Sequence, residues 1–576
     1  MNCLFAVVLA SSPAFVIDSV DVFTGAERLE NQTVVVREGR IEALSPGDSR
    51  TDSASAELER IDGRGMTLLP GLIDAHAHTF GSALPDAVRF GVTTVLDMFT
   101  TEDFASAERA KRATFADVAQ ADLFSSGILA TSDGGHGTEY GIAIPTVGEA
   151  GQASAWVDER VAAGADYIKI VYIHPSRAKR VTSIDAATLR ALIDAAHARQ
   201  KLTIVHVQDV PSAIDAVDAG ADGLAHTLLD SFAPPSLLTR MAERKTFVLS
   251  TLSVMSNLDR PRRARLPVTL TDRLSGTQRG TYLAPWPGTH QPELYANAVA
   301  NVRQFRHHSI PVLAGSDAPN PGTAHGISLL AELQLLVDAG FTAQEALAAA
   351  TRLPAEVFAL DGRGRLKPGA RADMVLVRGD PTRDISRVLE IERVWKNGYA
   401  VAIAPKKPKS VGIGAMSVSD FNANLNSAWG VSWSASSDAM MGGKSEASVA
   451  QAEGKSGKGM AIRGTIRPGF VAPWSGAFVP FAADWSRLKN LSAVKSVSFD
   501  VRGTPGTYRL MFFGEAQNAR PVETTFEVKE GWSRTSVPLA SVPGLDPSAV
   551  RAFGISAGTK GKEKSFEIVV DEVRFE

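Results

Sequence analysis

The stretch MTLLPGLIDAHAH, residues 66–78, ends an apolar run with two histidines one residue apart. In a β-strand, side chains at positions i and i+2 point to the same face, so His76 and His78 can both face one site. An isolated His-x-His pair also occurs in ordinary packed strands. The rest of the chain must therefore decide whether this pair binds a metal ion.

This stretch is the first of eight strand-like apolar runs that alternate with helical patterns such as TLRALIDAAHARQ and SLLAELQLLVDAG. Parallel strands that alternate with helices are typical of a closed barrel. We therefore predict an α/β fold with a TIM-like (β/α)8 barrel over residues 68–354. Its strands are expected in MTLLPGLIDAHAH, VTTVLDM, DLFSSGIL, DYIKIVY, LTIVHV, DGLAHT, TFVLST and IPVLAGSD.

The segments on either side of the barrel alternate apolar and polar residues, as antiparallel strands do. FVIDSVDVFTG and QTVVVREGRIEAL precede the barrel, and ADMVLVRGDP and IERVWKNGYAVAI follow it. Together they predict one small composite β-sandwich domain, built from residues 15–67 and completed by residues 355–404.

The composition changes after the composite domain. A Pro, Lys and Gly-containing linker is predicted over residues 405–416, and residues 417–576 carry short alternating runs between Gly and Pro turns. This pattern predicts a C-terminal all-β jelly-roll sandwich.

The first residues, MNCLFAVVLASSPA, have a short apolar stretch before small residues that suit a signal peptidase, although no Lys or Arg precedes it. A signal peptide over residues 1–14 would make the protein periplasmic or secreted, and a plain N-terminal extension would leave it cytoplasmic. Later apolar runs are shorter than the roughly 18 residues that span a bilayer, so no membrane span is predicted.

Composition narrows the classes of function and of metal site. A net charge of -3 with 21% charged residues gives no sign of nucleic-acid binding. The only cysteine is Cys3, which leaves no thiolate ligand or cysteine nucleophile for the folded body. A metal ion must therefore be held by His, Asp, Glu or Lys.

Further candidate ligands stand at the ends of other predicted strands. His206 ends the fifth run, His226 the sixth and Asp317 the eighth. The carboxyl ends of barrel strands converge on one face, so these residues are expected to join His76 and His78 in a metal site. Lys169 lies inside the apolar run YIKIVY, where it is either paired with a carboxylate or carboxylated by carbon dioxide.

The ordered series LPGLIDAHAH, GADYIKIVY, IVHV, GLAHT, LAGSDAP and LKPGARADMVLVRGDP resembles the metal-dependent amidohydrolase superfamily. The resemblance runs from about Phe15 to Ala404 and is strongest to the branch of imidazolonepropionase-like and Xaa-Pro dipeptidase-like hydrolases. It implies two divalent metal ions, with zinc as the default and manganese or iron as alternatives.

By that resemblance, His76 and His78 bind the more buried ion, His206 and His226 bind the second, and a carboxylated Lys169 bridges them. Asp317 would be a ligand and would carry protons. Two such ions activate a bridging hydroxide that attacks the carbonyl of an amide-type C–N bond. The substrate would be an N-acyl amino acid, a dipeptide or a cyclic amide.

Residues near the barrel mouth are candidates for contacting this small-molecule substrate. His136, predicted as catalytic or substrate-binding, and Tyr140 lie in SDGGHGTEYGI after the third strand. Tyr172 follows Lys169, and His325 follows Asp317. An ordinary loop histidine is the alternative interpretation of His136.

The segment WSASSDAMMGGKSEASV resembles the complex I intermediate-associated protein family, with a Ser-Asp followed by Met-Gly-Gly. This resemblance implies a galactose-binding-like domain, whose partner would be a carbohydrate or a protein. Alternative functions for the whole chain are a lactonase or hydrolytic deaminase on the same metal site, or a non-catalytic binding protein.

Overall fold

The computed structural model describes residues 14–47, 58–113, 119–138, 144–176, 182–259, 266–284, 290–404, 410–441, 443–468, 473–482, 487–514, 521–558 and 562–576. The chain divides into two compact units. The first comprises Met1–Leu274 and Thr281–Pro405, and the second comprises Ser275–Gly280 and Lys406–Glu576. No helix among the described residues is both long enough and apolar enough to cross a membrane.

Sixteen strands form in the described part of the first unit. In chain order they are β1 (Ala14–Phe23), β2 (Arg28–Arg37), β3 (Arg40–Pro46), β4 (Glu59–Asp62), β5 (Met66–Pro70), β6 (Leu72–Ala77), β7 (Val92–Asp97), β8 (Asp122–Ser125), β9 (Ile168–Val171), β10 (Thr203–His206), β11 (Gly223–Ala225), β12 (Phe247–Leu249), β13 (Val312–Leu313), β14 (Met374–Arg378), β15 (Ile391–Lys396) and β16 (Tyr399–Ala400).

Strands β1–β5 and β14–β16 form the predicted composite sheet. Its order is β16-β15-β14-β5-β1-β2-β3, with β4 paired to β1. Strand β14 runs antiparallel to β5, and Met374 lies opposite Pro70. The chain therefore returns after the barrel to complete the sheet that it began before it, as the two sets of alternating segments predicted.

Strands β6–β13 form the predicted parallel barrel. Each of the eight predicted apolar runs contributes one strand to this barrel. Two parallel sheets, β6-β7-β8 and β9 to β13, are joined at two seams. At one seam the Val171 amide donates to the Ala130 carbonyl at 2.9 Å, and at the other the Ala75 amide donates to the Ala314 carbonyl at 2.9 Å. These bonds close the barrel.

The run MTLLPGLIDAHAH holds two strands, because β5 belongs to the composite sheet and β6 to the barrel. Gly71 stands at the junction, and its amide donates to the Asp373 carbonyl at 2.7 Å. A Cβ atom on Gly71 would lie 2.2 Å from the Thr93 hydroxyl oxygen, so a residue with a side chain would clash at this position. The junction is therefore a fixed connection between the two sheets.

Helices cover the barrel, and several begin with a side chain that accepts an amide hydrogen bond. Asp185 accepts from the Thr188 amide and Asp209 from the Ser212 amide, as N-cap residues do. The helices of the described residues are α1 (Ala83–Val88), α2 (Glu102–Arg112), α3 (Ala153–Ala162), α4 (Ala186–His197), α5 (Val210–Ala219), α6 (Pro235–Arg244), α7 (Leu252–Met255), α8 (Val268–Thr271), α9 (Gly276–Leu283), α10 (Pro292–His307), α11 (Ile327–Asp338), α12 (Ala343–Ala349) and α13 (Arg352–Val357).

A buried charge cluster lies at the amino end of strand β8, where the barrel meets the composite sheet. The Asp122 carboxylate contacts Arg363, Arg371 at 2.8 Å and the ammonium group of Lys396 at 3.1 Å. Asp373 contacts Arg371 at 3.2 Å and Lys396 at 3.6 Å. Lys396 is fully buried, so these charges depend on one another for stabilisation.

The second unit is a sandwich of two sheets. One has the order β17-β23-β28-β22-β19, with β25 and β26 attached through β28, and the other has the order β20-β21-β29-β24-β27, with β18 paired to β29. Its strands are β17 (Ser410–Gly412), β18 (Met416–Ser419), β19 (Ser434–Ser437), β20 (Glu446–Glu453), β21 (Lys458–Ile466), β22 (Trp474–Pro480), β23 (Leu488–Asn490), β24 (Ser496–Gly503), β25 (Gly506–Gly514), β26 (Val522–Val528), β27 (Ser533–Pro538), β28 (Val550–Gly558) and β29 (Lys564–Phe575).

Both sheets contribute to one apolar core, in which Phe499 and Phe575 of one sheet pack with Phe512 and Phe553 of the other. The all-β architecture agrees with the prediction from sequence. Strand β17 lies inside the predicted linker 405–416, so regular structure begins earlier than the composition indicated. The predicted signal peptide, residues 1–14, falls outside the described residues except for Ala14, which begins β1.

The Ser-Asp and Gly-Gly motif of this unit surrounds a buried carboxylate. Asp438 is fully buried and accepts hydrogen bonds from the Ser445 amide at 2.9 Å, the Ser445 hydroxyl at 2.6 Å and the Trp474 amide at 3.0 Å. A Cβ atom on Gly443 would lie 2.1 Å from an Asp438 oxygen. The motif therefore ties a turn to strand β22 and requires glycine at position 443.

We predict that Asp122→Ala lowers the free energy of unfolding by about 3–5 kcal/mol, because it leaves three buried cations beside one remaining carboxylate. Lys396→Met should cost less, since two guanidinium groups and two carboxylates remain balanced. Urea denaturation measures the free energy of unfolding of both variants. Arg64→Met, which removes an ion pair whose two side chains are both exposed, is the control, and an Asp122→Ala protein as stable as this control would contradict the prediction.

A second stability prediction concerns Gly443. Gly443→Ala should destabilise the second unit by about 1–3 kcal/mol through overlap with the Asp438 carboxylate. Gly414→Ala is the matched control, because no atom lies within 4 Å of the Cβ it would add. Thermal melts of the two variants decide: equal melting temperatures would show that the close approach at Gly443 carries no cost.

Candidate metal centre

The seam between β6 and the end of β13 brings the first and last predicted ligands together. The Asp317 amide donates to the His76 carbonyl at 2.7 Å, and the His78 amide donates to the Ala318 carbonyl at 2.7 Å. Asp317 Oδ1 lies 3.4 Å from His76 Nε2 and 3.1 Å from His78 Nε2. Ligand atoms from these three residues all lie within 4.8 Å of one another, which suits a shared metal ion.

The other predicted ligands line the same cavity, which has a volume of about 370 Å³. The His226 ring centre lies 4.7 Å from that of His76 and 4.7 Å from that of His206. Lys169 of β9 also lines the cavity. The structure therefore brings together all six side chains that the sequence marked as ligands: His76, His78, Lys169, His206, His226 and Asp317.

Several polar atoms of this group are buried without a hydrogen bond to any described residue. They include Lys169 Nζ, both ring nitrogens of His76, Nδ1 of His78 and Oδ1 of Asp317. Leaving buried polar atoms unsatisfied is costly unless another group binds them. Imidazole, carboxylate and a modified lysine are ligands of divalent metal ions, so this donor set fits such ions.

Burial sets the protonation states that metal ligation needs. It lowers the pKa of His76 to about 3 and the pKa values of His206 and His226 well below the usual range. Burial opposes ionisation of Asp317, but the imidazoles of His226 and His76 hold its pKa well below the ordinary value. His76, His206 and His226 are therefore neutral and Asp317 is ionised, as metal ligation requires.

Lys169 is 2% exposed, and burial lowers the pKa of its amine to about 7, against a small opposing effect of Asp317. A substantial fraction of the amine is thus neutral near pH 7, the form that reacts with carbon dioxide. Among the described residues, no carboxylate forms an ion pair with Lys169, which is the alternative that the sequence left open.

Two carboxylates that sequence reasoning missed support the ligands. Asp74 accepts hydrogen bonds from the His76 amide at 3.2 Å, the Ser316 amide at 2.9 Å and the Ser316 hydroxyl at 2.6 Å, so it ties β6 to the end of β13. Asp97 accepts from the Thr79 amide at 2.7 Å and the Ser125 hydroxyl at 2.6 Å. A carboxylate inside an apolar strand was the available signal for both.

The backbone is strained at the cavity. His226 has a φ of 77°, Asp317 a φ of 53° and Thr251 a φ of 46°. Residues other than glycine rarely adopt this left-handed conformation, and where they do, it often accompanies a functional site. The Thr251 hydroxyl lies 2.8 Å from His226 Nδ1.

The predicted substrate-contacting residues have different outcomes. His136 lines the cavity, with its ring centre 5.0 Å from that of His206. Tyr140 lies outside the described residues. Tyr172 and His325 are buried, at 1% and 6% exposure, and neither belongs to the described lining of the cavity.

The position of Tyr172 follows from strand alternation. Lys169 and Val171 both face the cavity, so the next residue along the chain turns to the opposite face. The Tyr172 hydroxyl donates a hydrogen bond to Asp215 at 2.5 Å. This alternation of side chains could be read from the sequence. The position of Tyr172 near the barrel mouth had nevertheless suggested a contact with substrate.

The remaining wall of the cavity is mostly apolar, which the sequence analysis did not predict. Three amides add polar character, from Gln208, Gln291 and Asn320. Lys169 is the only lysine or arginine among the described lining residues. The apolar wall consists of Leu129, Val171, Leu229, Val254, Met255, Leu258 and Leu294.

Comparison with known proteins agrees with this architecture. A Xaa-Pro dipeptidase crystallised with methionine in its active site has a similar fold, with a TM-score of 0.54 and 21% identity over 67% of this chain and 99% of that one. The ochratoxinase of A. niger has a TM-score of 0.54 and 18% identity over 68% of this chain and 96% of its own.

Sequence comparison is more local but points the same way. Imidazolonepropionase from Ruegeria sp. (strain TM1040) is 36% identical over 94 residues, which cover 16% of this chain and only 22% of that enzyme. The sequence pattern of the amidohydrolase family, by contrast, matches residues 67–401, more than half of the chain and the whole of the barrel. The chain is a hydrolase and belongs to the amidohydrolase family.

Proposed function

We propose that the protein hydrolyses an amide-type C–N bond with two divalent metal ions held by His76, His78, Lys169, His206, His226 and Asp317. The observation that carries this proposal is Lys169, a buried amine that shares one cavity with five histidines and Asp317 and has no hydrogen bond to any described residue. Such a lysine is costly to keep unless it takes part in the site.

Lys169 would act after it has been carboxylated. Its neutral amine adds to carbon dioxide, forming one N–C bond and losing one proton to solvent, and the product is a carbamate with two oxygens. Together with His76, His78, His206 and His226, these oxygens would help to hold the two ions. Zinc suits these ligands, and such ions supply an activated water and polarise a carbonyl group.

Asp317 would move the proton during hydrolysis. It is ionised and lies at the seam between the first and last strands, so it can accept a proton from the attacking water. It would then donate that proton to the leaving nitrogen. His136, across the cavity beside His206, would donate a hydrogen bond to the substrate carbonyl oxygen as negative charge develops there.

The apolar wall favours one class among the substrates that the sequence left open. A cavity of about 370 Å³ holds a small molecule, and its wall contains mainly Leu, Val and Met side chains. In the described lining, no arginine or second lysine faces the cavity to pair with a substrate carboxylate. We therefore favour an uncharged amide with an apolar substituent, cyclic amides included, over N-acyl amino acids and dipeptides.

The proposed metal site leads to a prediction about metal content. Protein prepared with zinc and bicarbonate should hold two ions per chain by elemental analysis, and Lys169→Ala should hold one or none because the bridge is lost. His307→Asn, at an exposed histidine on α10, is the control and should keep both ions. One ion in both the wild type and Lys169→Ala would rule out the bridging role.

The apolar wall leads to a prediction about substrate preference. Neutral apolar amides should be hydrolysed with a kcat/KM at least about 10-fold above that of matched N-acyl amino acids, and Leu294→Ala should lower it about 10-fold or more. Val299→Ala, on the same helix but outside the described cavity lining, should leave it unchanged.

A faster reaction with carboxylate-bearing substrates would contradict the substrate class while leaving the metal site intact. A faster reaction with lactones would make the enzyme a lactonase. Loss of hydrolysis in Asp317→Asn, with metal content retained, would assign the proton transfer to Asp317.

A further inference from the structure

The segment that follows strand β12 contacts the metal centre from outside. Thr251 is fully buried, and its hydroxyl lies 2.8 Å from Nδ1 of His226. This bond engages one ring nitrogen and leaves Nε2 for a ligand in the cavity. Thr251 has a φ of 46°, an unfavourable conformation for a β-branched residue, so neighbouring contacts must hold it there.

Glu332 of helix α11 supplies those contacts. Its carboxylate is fully buried and accepts hydrogen bonds from the Ser250 hydroxyl at 2.5 Å, the Leu252 amide at 2.9 Å and the Ser253 amide at 2.6 Å. These donors lie on both sides of Thr251. The carboxylate thereby satisfies the first amides of helix α7 and fixes the backbone around Thr251.

The same segment reaches two further parts of the site. The Ser253 hydroxyl donates to the Ser316 carbonyl at 3.2 Å, one residue before Asp317. Beyond it, Val254, Met255 and Leu258 form part of the apolar wall of the cavity. A single buried carboxylate therefore anchors a stretch of chain that contacts one histidine ligand, the strand end that carries Asp317 and the substrate wall.

We propose that Glu332 is a positioning residue for the metal centre: through residues 250–253 it holds Thr251 in the left-handed conformation in which the Thr251 hydroxyl orients His226. Glu332 itself does not line the cavity. The inference rests on the proposed function, because it takes His226 as a ligand. Groups that hydrogen-bond to the second ring nitrogen of a ligating histidine set its orientation, and their loss commonly weakens metal binding 10- to 100-fold.

The test uses four variants of the full-length protein. Thr251→Val keeps the shape and backbone strain of threonine but removes the hydroxyl, and Thr251→Ser keeps the hydroxyl. Glu332→Gln replaces one accepting oxygen with a donor that faces the amide of either residue 252 or residue 253. Thr246→Val is the matched control, because Thr246 is a buried threonine at the opposite end of strand β12.

Zinc affinity is measured by competition with a chelator, on samples shown by circular dichroism to be folded. We expect about 10- to 100-fold weaker binding for Thr251→Val and Glu332→Gln, and binding within about 3-fold of wild type for Thr251→Ser and Thr246→Val. In the metal-free protein, the ring-nitrogen NMR shifts of His226 should change in Thr251→Val and Glu332→Gln alone, which general destabilisation would not produce.

The outcomes separate this inference from the proposed function. A wild type that binds no metal overturns both. A wild type that binds zinc, with Thr251→Val and Glu332→Gln binding equally well, overturns only the positioning role. Equal weakening in Thr246→Val also overturns it, because the effect would then be one of general stability. If Glu332→Gln does not fold, Ser250→Ala, which removes the hydroxyl that contacts Glu332 and the Leu313 carbonyl, replaces it in the comparison.

Discussion

Closure of the barrel between strand β6 and the end of strand β13 is the constraint on which the site depends. Asp317 stands 241 positions after His76 in the chain, yet its amide hydrogen-bonds to the His76 carbonyl at 2.7 Å. Between them in the chain, strands β9, β10 and β11 bring Lys169, His206 and His226 to the same cavity. The candidate metal centre therefore depends on the closed barrel, and neither of the two sheets contains all six candidate ligands.

The candidate site brings polar side chains close together in a buried cavity. Carboxylates outside the cavity fix the backbone that carries these side chains. Asp74 joins the two strands at the seam, Asp97 fixes the turn after His78, and Glu332 fixes the segment beside His226. Each accepts several hydrogen bonds in a buried position, which makes its geometry rigid. The candidate ligands are therefore held in place by the protein itself, as a preorganised site requires.

The sequence predicts the barrel and the convergence of the candidate ligands on one cavity, because both follow from short-range patterns. Apolar runs mark the strands, and a histidine or aspartate at the end of a parallel strand must lie at the common face. The supporting carboxylates were harder to predict, because the pattern does not show which amides surround a buried Asp or Glu. Part of the apolar wall comes from Val254, Met255 and Leu258, whose segment has no distinctive sequence signal.

The composite sheet has a consequence for the order in which the chain is made. Strand β5 pairs with β14, so its partner leaves the ribosome only after every barrel strand has been synthesised. Until then β5 keeps one open edge, on which another chain could add a strand. The sheet can therefore close only after the whole barrel has been translated. A chain cut short before Met374 retains an exposed edge of β5, which distinguishes it from the finished protein.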